Sequence, residues 1–190
     1  MEPQDYLLVN GHKFFNGADF SKADLAGIRI SGHDAPRGYA RVVNLRGINF
    51  QNANLSGASF ENCILAAANL QGANLHWAEL KNVSLDGAVF SYANLRETKL
   101  TKVLFGTAHF VEVDLQRATL VNCDLYDTDL HDSNLQGLTF NNCYSNKPRL
   151  NGIILPDGKR VGRFYKGNEL ARYGCITGQS LFNLRSEWET

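Results

Sequence analysis

Residues 68–80 read A-N-L-Q-G-A-N-L-H-W-A-E-L, and the same kind of residue returns at every fifth position. Leucine occupies every fifth position from 70 to 80, and alanine occupies every fifth position from 68 to 78. An α-helix repeats its apolar residues at intervals of about 3.6 and a strand at intervals of about 2, so neither explains a spacing of five. The segment therefore indicates a repeated structural unit of five residues.

The five-residue spacing continues far beyond this segment. From Leu45 to Phe140, all twenty positions at this interval are leucine or phenylalanine. The residue two places earlier is small or β-branched apart from Leu138, and the remaining positions are mostly polar residues or glycine, which favour turns. One unit cannot bury its large side chain alone, whereas stacked units bury a continuous column. The pattern therefore predicts a solenoid.

Units such as A-N-L-S-G (53–57), A-N-L-Q-G (68–72) and A-N-L-R-E (93–97) resemble the pentapeptide-repeat family, whose units read small–Asn/Asp–Leu/Phe–x–x. The resemblance covers about residues 17–30 and 43–143. It implies an all-β fold, a right-handed quadrilateral parallel β-helix with four units per coil. Five such coils would form a rod about 24 Å long at the ~4.8 Å spacing of stacked strands.

A period of twenty residues places side chains above one another in columns. The inward columns are predicted to form the structural core: Leu55, Leu75, Leu95, Leu115 and Leu135 in one column, and Phe50, Phe90 and Phe110 in the next. An asparagine or aspartate directly precedes each leucine of the first column. These residues predict a ladder of side-chain hydrogen bonds that stabilises the stack.

The cysteines and histidines show no spacing typical of a metal site or a catalytic site. Cys63, Cys123 and Cys143 fall at the small inward position of one side, which predicts buried structural thiols rather than redox groups. His109 and His131 would lie about one coil apart beside acidic residues, and ordinary surface histidines are the preferred interpretation over a metal site. No nucleophile, phosphate-binding or zinc motif occurs. We therefore predict no enzymatic activity, no metal and no cofactor.

Two groups of outward residues are candidates for contact with a partner. The first is an apolar strip, defined by Ile64, Leu104 and Tyr92. Three interpretations are open: the chain's own C-terminal segment covers the strip, a partner protein covers it, or it stays exposed to solvent. The second is an acidic patch, which consists of Glu112, Asp124, Asp127, Asp129 and Asp132.

Charge is segregated along the chain although the formal net charge is 0. Residues 45–140 contain ten acidic and six basic side chains, a net charge of −4, and residues 145–190 contain eight basic and four acidic side chains, a net charge of +4. The acidic patch therefore has three interpretations: a solvated surface, a surface that imitates DNA phosphates, or a docking surface for the basic segment.

The repeat is interrupted once, between residues 31 and 42. This segment does not follow the pattern, but the five-residue spacing resumes after it in the same register. The segment is therefore predicted to be a loop of about ten residues that bulges from one corner. The loop contains five side chains suited to contacting a partner: His33, Asp34, Arg37, Tyr39 and Arg41. A loop without a function is the alternative.

The two ends of the chain lie outside the repeat, which is predicted to span residues 17–143. Residues 1–16 are predicted to cap one end of the rod. Residues 144–190 are predicted to contain a hairpin that turns at 156–158, a short helix within 167–174 and an amphipathic helix over 180–188. This segment either caps the other end or forms a homodimer.

The remaining observations restrict the function. The chain starts without a secretory signal and has no run of 18 apolar residues, so a cytoplasmic location without membrane contact is expected. Zero net charge gives no indication of direct nucleic-acid binding. The resemblance implies a non-enzymatic protein-binding rod, because some family members resemble a DNA duplex and bind type II topoisomerases such as gyrase. These proteins protect the enzymes from quinolones or inhibit them.

Two other functions are open at this stage. One is an interaction module of another purpose, such as a regulator, a secreted effector or a phage accessory protein. The other is an enzyme with a site in residues 145–190 or between that segment and the rod.

Overall fold

The computed structural model describes residues 7–9, 12–14, 17–31, 42–162 and 169–177, with backbone alone for the first two ranges. The strands are β1 (Leu7–Val9), β2 (His12–Phe14), β3 (Arg29–Ser31), β4 (Val43–Asn44), β5 (Ser59–Ile64), β6 (Glu79–Ser84), β7 (Lys99–Leu104), β8 (Thr119–Val121), β9 (Thr139–Asn141), β10 (Cys143–Ser145) and β11 (Cys175–Thr177). A 3₁₀ helix spans Glu169–Tyr173. β1 and β2 pair in antiparallel fashion, and β3 to β9 form one parallel sheet.

The parallel strands pair at a constant step of twenty residues. Phe60 pairs with Leu80, and Leu80 pairs with Leu100. Isolated parallel bridges follow the same step on the other sides, as between Asn54 and Asn74. Bridges recur at four places in each coil, five residues apart, so the coil has four sides. The all-β solenoid predicted from the five-residue period is confirmed.

The first coil pairs with the second at a larger step. Asn49 donates a side-chain hydrogen bond to Asp19, which lies 30 residues earlier, whereas Asn74 donates to Asn54 across 20 residues. The difference of about ten residues is the size of the insertion predicted between residues 31 and 42. β3 and β4, on either side of the insertion, both pair with β5. The chain therefore re-enters the same coil in register, and residues 32–41 themselves lie outside the described residues.

The predicted inward columns form the core. All eight core residues predicted from the sequence are buried. The ring of Phe110 stacks on that of Phe90, with centroids 4.6 Å apart, and meets Phe105 edge-on at 5.1 Å. A void of about 10 Å³ lies beside Phe105 and Phe110, which is at the lower limit of the space that one water molecule needs. The rod is therefore filled by its own side chains at this level.

Each corner is turned by a residue in the left-handed region, two places after a large inward residue. Glycine turns some corners, with φ +64° at both Gly57 and Gly72, and other residues turn the rest, with φ +61° at Trp77 and +56° at Thr107. A left-handed conformation costs an L-residue roughly 1–2 kcal/mol, whereas glycine adopts it freely. This difference explains why the corner positions are rich in glycine and asparagine.

Gly72→Ala is expected to destabilise the rod more than Gly57→Ala. Both residues have φ +64°, but a methyl group at Gly57 meets no atom within 4 Å, whereas one at Gly72 would lie 2.3 Å from Oδ1 of Asn52. We expect a loss of about 1 kcal/mol at Gly57 and about 0.5 kcal/mol more at Gly72, because the exposed Asn52 side chain must also rotate away. Urea unfolding followed by circular dichroism measures both, and equal losses would contradict the role of the Asn52 contact.

The stack extends beyond Cys143, where the sequence pattern ends. Parallel bridges join Asp129 to Arg149 and Asn134 to Ile154, so a further coil lies on the repeat region. Ser145 and Pro148 interrupt the sequence pattern of this coil, but Leu150, Ile153 and Leu155 still fill its interior. Backbone pairing therefore continues one coil past the boundary that the pattern predicts, because stacking needs the coil geometry and only some of the leucines.

Two of the three elements predicted for the C-terminal end lie in this coil and directly after it. An antiparallel bridge joins Ile154 to Arg160 around a turn at 156–158. The short helix is the 3₁₀ helix Glu169–Tyr173, after which β11 pairs in parallel with β10. The amphipathic helix predicted over 180–188 lies outside the described residues, as does most of the predicted cap at 1–16.

Candidate protein-interaction surface

The centre of one side of the rod carries the predicted asparagine ladder. Nδ2 of Asn94 donates to Oδ1 of Asn74 at 3.1 Å, and Nδ2 of Asn74 donates to Oδ1 of Asn54 at 3.3 Å. Oδ1 of Asn74 and of Asn94 also accepts the backbone N–H two residues later, at His76 and Arg96. Each amide is thus held by hydrogen bonds along the rod axis and to the backbone of the following turn. We call this side of the rod the ladder side.

Two members of the acidic patch, Asp129 and Asp132, form ion pairs within the chain. Oδ2 of Asp129 lies 3.1 Å from Nη1 of Arg149, and its Oδ1 lies 2.7 Å from Nδ1 of His131. Asp132 lies 3.5 Å from Arg160. Both arginines belong to the basic segment, residues 145–190. Asp129 and Asp132 therefore contact that segment, as expected if the acidic patch is a docking surface for it. Asp129 and Asp124 are also buried, with 8 and 3 % of their surface exposed.

Glu112 and Asp127 are the exposed members of the acidic patch. Both are corner residues in the left-handed region, so their carboxylates project from the rod. Only these two members offer a partner a fully accessible negative charge.

The apolar strip is covered over part of its length. Leu104 lies between the inward residues Val103 and Phe105 and so points outward, yet only 3 % of its surface is exposed. Ser84 and Asp124, its neighbours in the same outward column, are buried as well. Ile64 is half-buried. Leu104 and Asp124 are therefore removed from the set of accessible contact residues.

Two large aromatic side chains project from the ladder side. Tyr92 is 57 % exposed, and Trp77, which is not among the predicted contact residues, is 61 % exposed. The Trp77 ring stacks on His76 with centroids 4.1 Å apart, and its Nε1 donates to Oε2 of Glu97 at 2.9 Å. This hydrogen bond, more than the nearby Arg117, holds the pKa of Glu97 below its ordinary value. The signal that reveals Trp77 is its position two places after Leu75, which is the corner of the repeat unit.

The other predicted contact residues lie in the insertion. His33, Asp34, Arg37, Tyr39 and Arg41 are outside the described residues, and their role stays a prediction. Within the described ranges, no group of three or more His, Cys, Asp or Glu side chains is arranged to hold a metal ion. Over the same residues, no helix has the length and apolar character needed to cross a membrane.

All four cysteines are free and buried. Cys123 and Cys143 donate to backbone oxygens of Leu100 and Leu120 at 3.3 Å, and Cys143 pairs in register with Cys175. Burial raises the pKa of Cys63 from 9.0 to about 12. The thiols therefore fill the core as small apolar groups.

Native thiols are expected to react with Ellman's reagent at pH 8 at least 100-fold more slowly than those of the unfolded chain. The thiolate is the reactive form, and a folded pKa of about 12 at Cys63 and at Cys175 leaves almost none of it there at this pH. The hydrogen bond with Cys123 lowers the pKa of Cys143, so for that thiol burial alone slows the reaction. The comparison of rates in buffer and in guanidinium chloride tests this. Rapid reaction of one thiol in the folded protein would contradict the structural assignment.

The twenty-residue step, the four sides and the buried leucine and phenylalanine columns define a four-sided parallel β-solenoid. A family model described as pentapeptide repeats, in eight copies, matches residues 44–82, 68–106 and 108–144. The chain belongs to the pentapeptide-repeat family.

Solved structures of this family resemble the chain at low sequence identity. Full-length QnrB1, described as a plasmid-mediated fluoroquinolone resistance protein, is 18 % identical, with 93 % of this chain and 86 % of that chain covered and a TM-score of 0.52. The pentapeptide repeat protein Rfr23 of the cyanobacterium Cyanothece 51142 is 21 % identical, with 70 and 88 % covered and a TM-score of 0.41. No curated protein matches the sequence. The likeness to QnrB1 establishes a shared fold.

Proposed function

We propose that this chain is a non-enzymatic scaffold that binds a protein partner on the outside of its rod. The observation that carries the proposal is the exposure of Trp77 and Tyr92 on a rod whose interior is filled by its own side chains. Tryptophan and tyrosine are enriched at protein interfaces, where a few such residues provide most of the binding energy. Enzymes instead need a concave site that surrounds the substrate.

The finer proposal is that the partner is a type II topoisomerase such as DNA gyrase. Three observations support it: the fold shared with QnrB1, the net charge of −4 over residues 45–140, and the exposed carboxylates of Glu112 and Asp127. An enzyme that binds DNA presents a positively charged surface, which a rigid acidic rod can occupy.

The experiment is a gyrase supercoiling assay with the purified protein titrated in, with and without a quinolone. Inhibition or protection at micromolar protein or below supports gyrase as the partner. The double variant Glu112→Lys, Asp127→Lys is then expected to weaken the effect at least tenfold. Asp124 and Asp129 are unsuitable for this test, because they are buried and their substitution also disturbs the fold.

A matched control uses Glu79→Lys. Glu79 is exposed on another side of the rod, where it pairs with Lys99, and exposed pairs contribute little to stability. It makes the same charge change as either single variant, Glu112→Lys or Asp127→Lys, but away from the acidic patch, and it is expected to leave the gyrase effect within twofold of the unmodified protein. No effect on gyrase at high protein concentration would remove gyrase as the partner while leaving the scaffold proposal to be tested with other proteins.

A further inference from the structure

Trp77 and Tyr92 lie at the two corners that bound the ladder side. Asn74 and Asn94 pair at the centre of this side on consecutive coils. Trp77 follows Asn74 by three residues and Tyr92 precedes Asn94 by two, so the two aromatic residues turn opposite corners one coil apart. Both side chains are exposed, and both corners border the ladder between them.

Each aromatic residue has a carboxylate one coil further along the same corner. Glu97 follows Trp77 by twenty residues and accepts its indole hydrogen bond. Glu112 follows Tyr92 by twenty residues and is exposed. Consecutive coils are separated by about 4.8 Å, so each corner presents a ring and a negative charge side by side.

A ring beside a carboxylate is a binding site for a guanidinium or ammonium group. A cation within about 6 Å of an aromatic centroid is attracted to the ring face, and a carboxylate adds a charge-assisted hydrogen bond. Arginine satisfies both because its planar group stacks and donates at once. At the first corner the carboxylate already accepts a guanidinium within the chain, since Nη1 of Arg117 lies 3.7 Å from Oε1 of Glu97. Arg117 is 71 % exposed, so an arginine from a partner can take its place.

The Trp77 ring is also held in place before a partner arrives. Trp77 is fixed by its stacking on His76 and by its hydrogen bond to Glu97. The ladder between the corners is fixed by its own amide hydrogen bonds. Contacts that are already ordered lose less entropy on binding.

We propose that the Trp77–Glu97 and Tyr92–Glu112 corners of the ladder side bind an arginine-rich segment of a partner protein, with one cationic side chain at each corner. This inference rests on the proposed scaffold function and assigns it a surface and a partner chemistry. The acidic patch contributes one carboxylate, Glu112, and the aromatic rings provide the contacts that a purely electrostatic surface lacks.

The test uses the full chain, labelled with ¹⁵N, and a peptide of four arginines separated by Gly-Ser. Saturable shifts are expected for the indole N–H of Trp77 and for the backbone amides of Tyr92 and Asn94, with no shift of the backbone amide of Asn122, which turns a corner away from the ladder side. A peptide with citrulline in place of arginine keeps the shape and loses the charge, and it is expected to bind at least tenfold more weakly. Equal binding of the two peptides would overturn the proposal.

Substitutions separate the two components of each corner. Trp77→Ala with Tyr92→Ala, and Glu97→Gln with Glu112→Gln, are each expected to lower the affinity for the arginine peptide at least tenfold, whereas Trp77→Phe should retain most of it. The control Glu79→Gln removes an exposed carboxylate from another side and should have no effect. Unchanged affinity in both double variants would overturn the proposal, as would concentration-dependent shifts of the same resonances without peptide, which would assign the surface to a second copy of the chain.

Failure of this inference is distinguishable from failure of the gyrase proposal. If gyrase responds equally to the unmodified chain and to the Trp77→Ala, Tyr92→Ala variant, the surface assignment fails and gyrase stands. If gyrase does not respond but the arginine peptide binds at the two corners, gyrase fails and the surface assignment stands.

Discussion

Leu95→Asp is expected to unfold the rod. Leu95 is fully buried in the central leucine column, between Leu75 and Leu115 on the adjacent coils. The substitution removes apolar packing, which costs about 2–5 kcal/mol, and places an unpaired carboxylate in the core at a cost of several kcal/mol more. A domain of ordinary stability, about 5–15 kcal/mol, does not tolerate this loss. Loss of the β-sheet circular dichroism signal at 25 °C is the expected result.

Val89→Asp provides the control for Leu95→Asp. Val89 is an outward, half-buried residue on another side, where it pairs with His109. The same side chain introduced there remains in contact with water and is expected to change the free energy of unfolding by less than about 1 kcal/mol. Similar unfolding curves for the two variants would show that the five-residue register is wrong.

Phe110→Ala is expected to cost about 4 kcal/mol, within the range for removal of a buried phenylalanine. The ring is 2 % exposed and contacts Phe90 and Phe105 in stacked and edge-on arrangements. Such aromatic pairs add about 0.5–1.5 kcal/mol beyond burial. The existing void of about 10 Å³ lies beside this ring, so the substitution enlarges it. Denaturant unfolding measures the effect.

Phe110→Leu separates cavity formation from loss of the aromatic pairs. Leucine occupies the same column one coil further on, at Leu130, and two coils earlier, at Leu70. The substitution is therefore expected to cost about 1 kcal/mol, much less than alanine. A loss as large as that of Phe110→Ala would mean that the ring contacts, rather than the filled volume, stabilise this level of the rod.

The five-residue period predicts most of this fold because the period follows directly from the need to bury large apolar side chains. Every coil must bury a large residue at each of its sides, so the leucine and phenylalanine positions identify the core. The same positions give the step between coils and show that the register is the same on both sides of the insertion. The asparagine ladder follows from the same step. Position in the repeat unit also places Trp77 at a solvent-facing corner, so the sequence contains the signal for the exposed ring.

The end of the stack and the pairing of the acidic patch depend on features that the period does not record. Ser145 replaces a large residue at an inward position, so the pattern stops one coil before the backbone does. Adding twenty to Asp129 gives Arg149, but this ion pair is predictable only if the stack is known to continue. Asp132 meets Arg160 across 28 residues, because the turn at 156–158 brings the chain back. No repeat interval gives that contact.

The constant step between coils places equivalent residues along the rod axis at intervals of about 4.8 Å. A coil of twenty residues, such as 85–104, could be duplicated or deleted. The coils beyond it would then move along the axis by one coil spacing, and each side would still face nearly the same direction. The distance between the insertion at 31–42 and the C-terminal coil is therefore adjustable in discrete amounts. Chain length, independent of any contact residue, becomes a quantity that evolution or an engineer can set to match the dimensions of a partner.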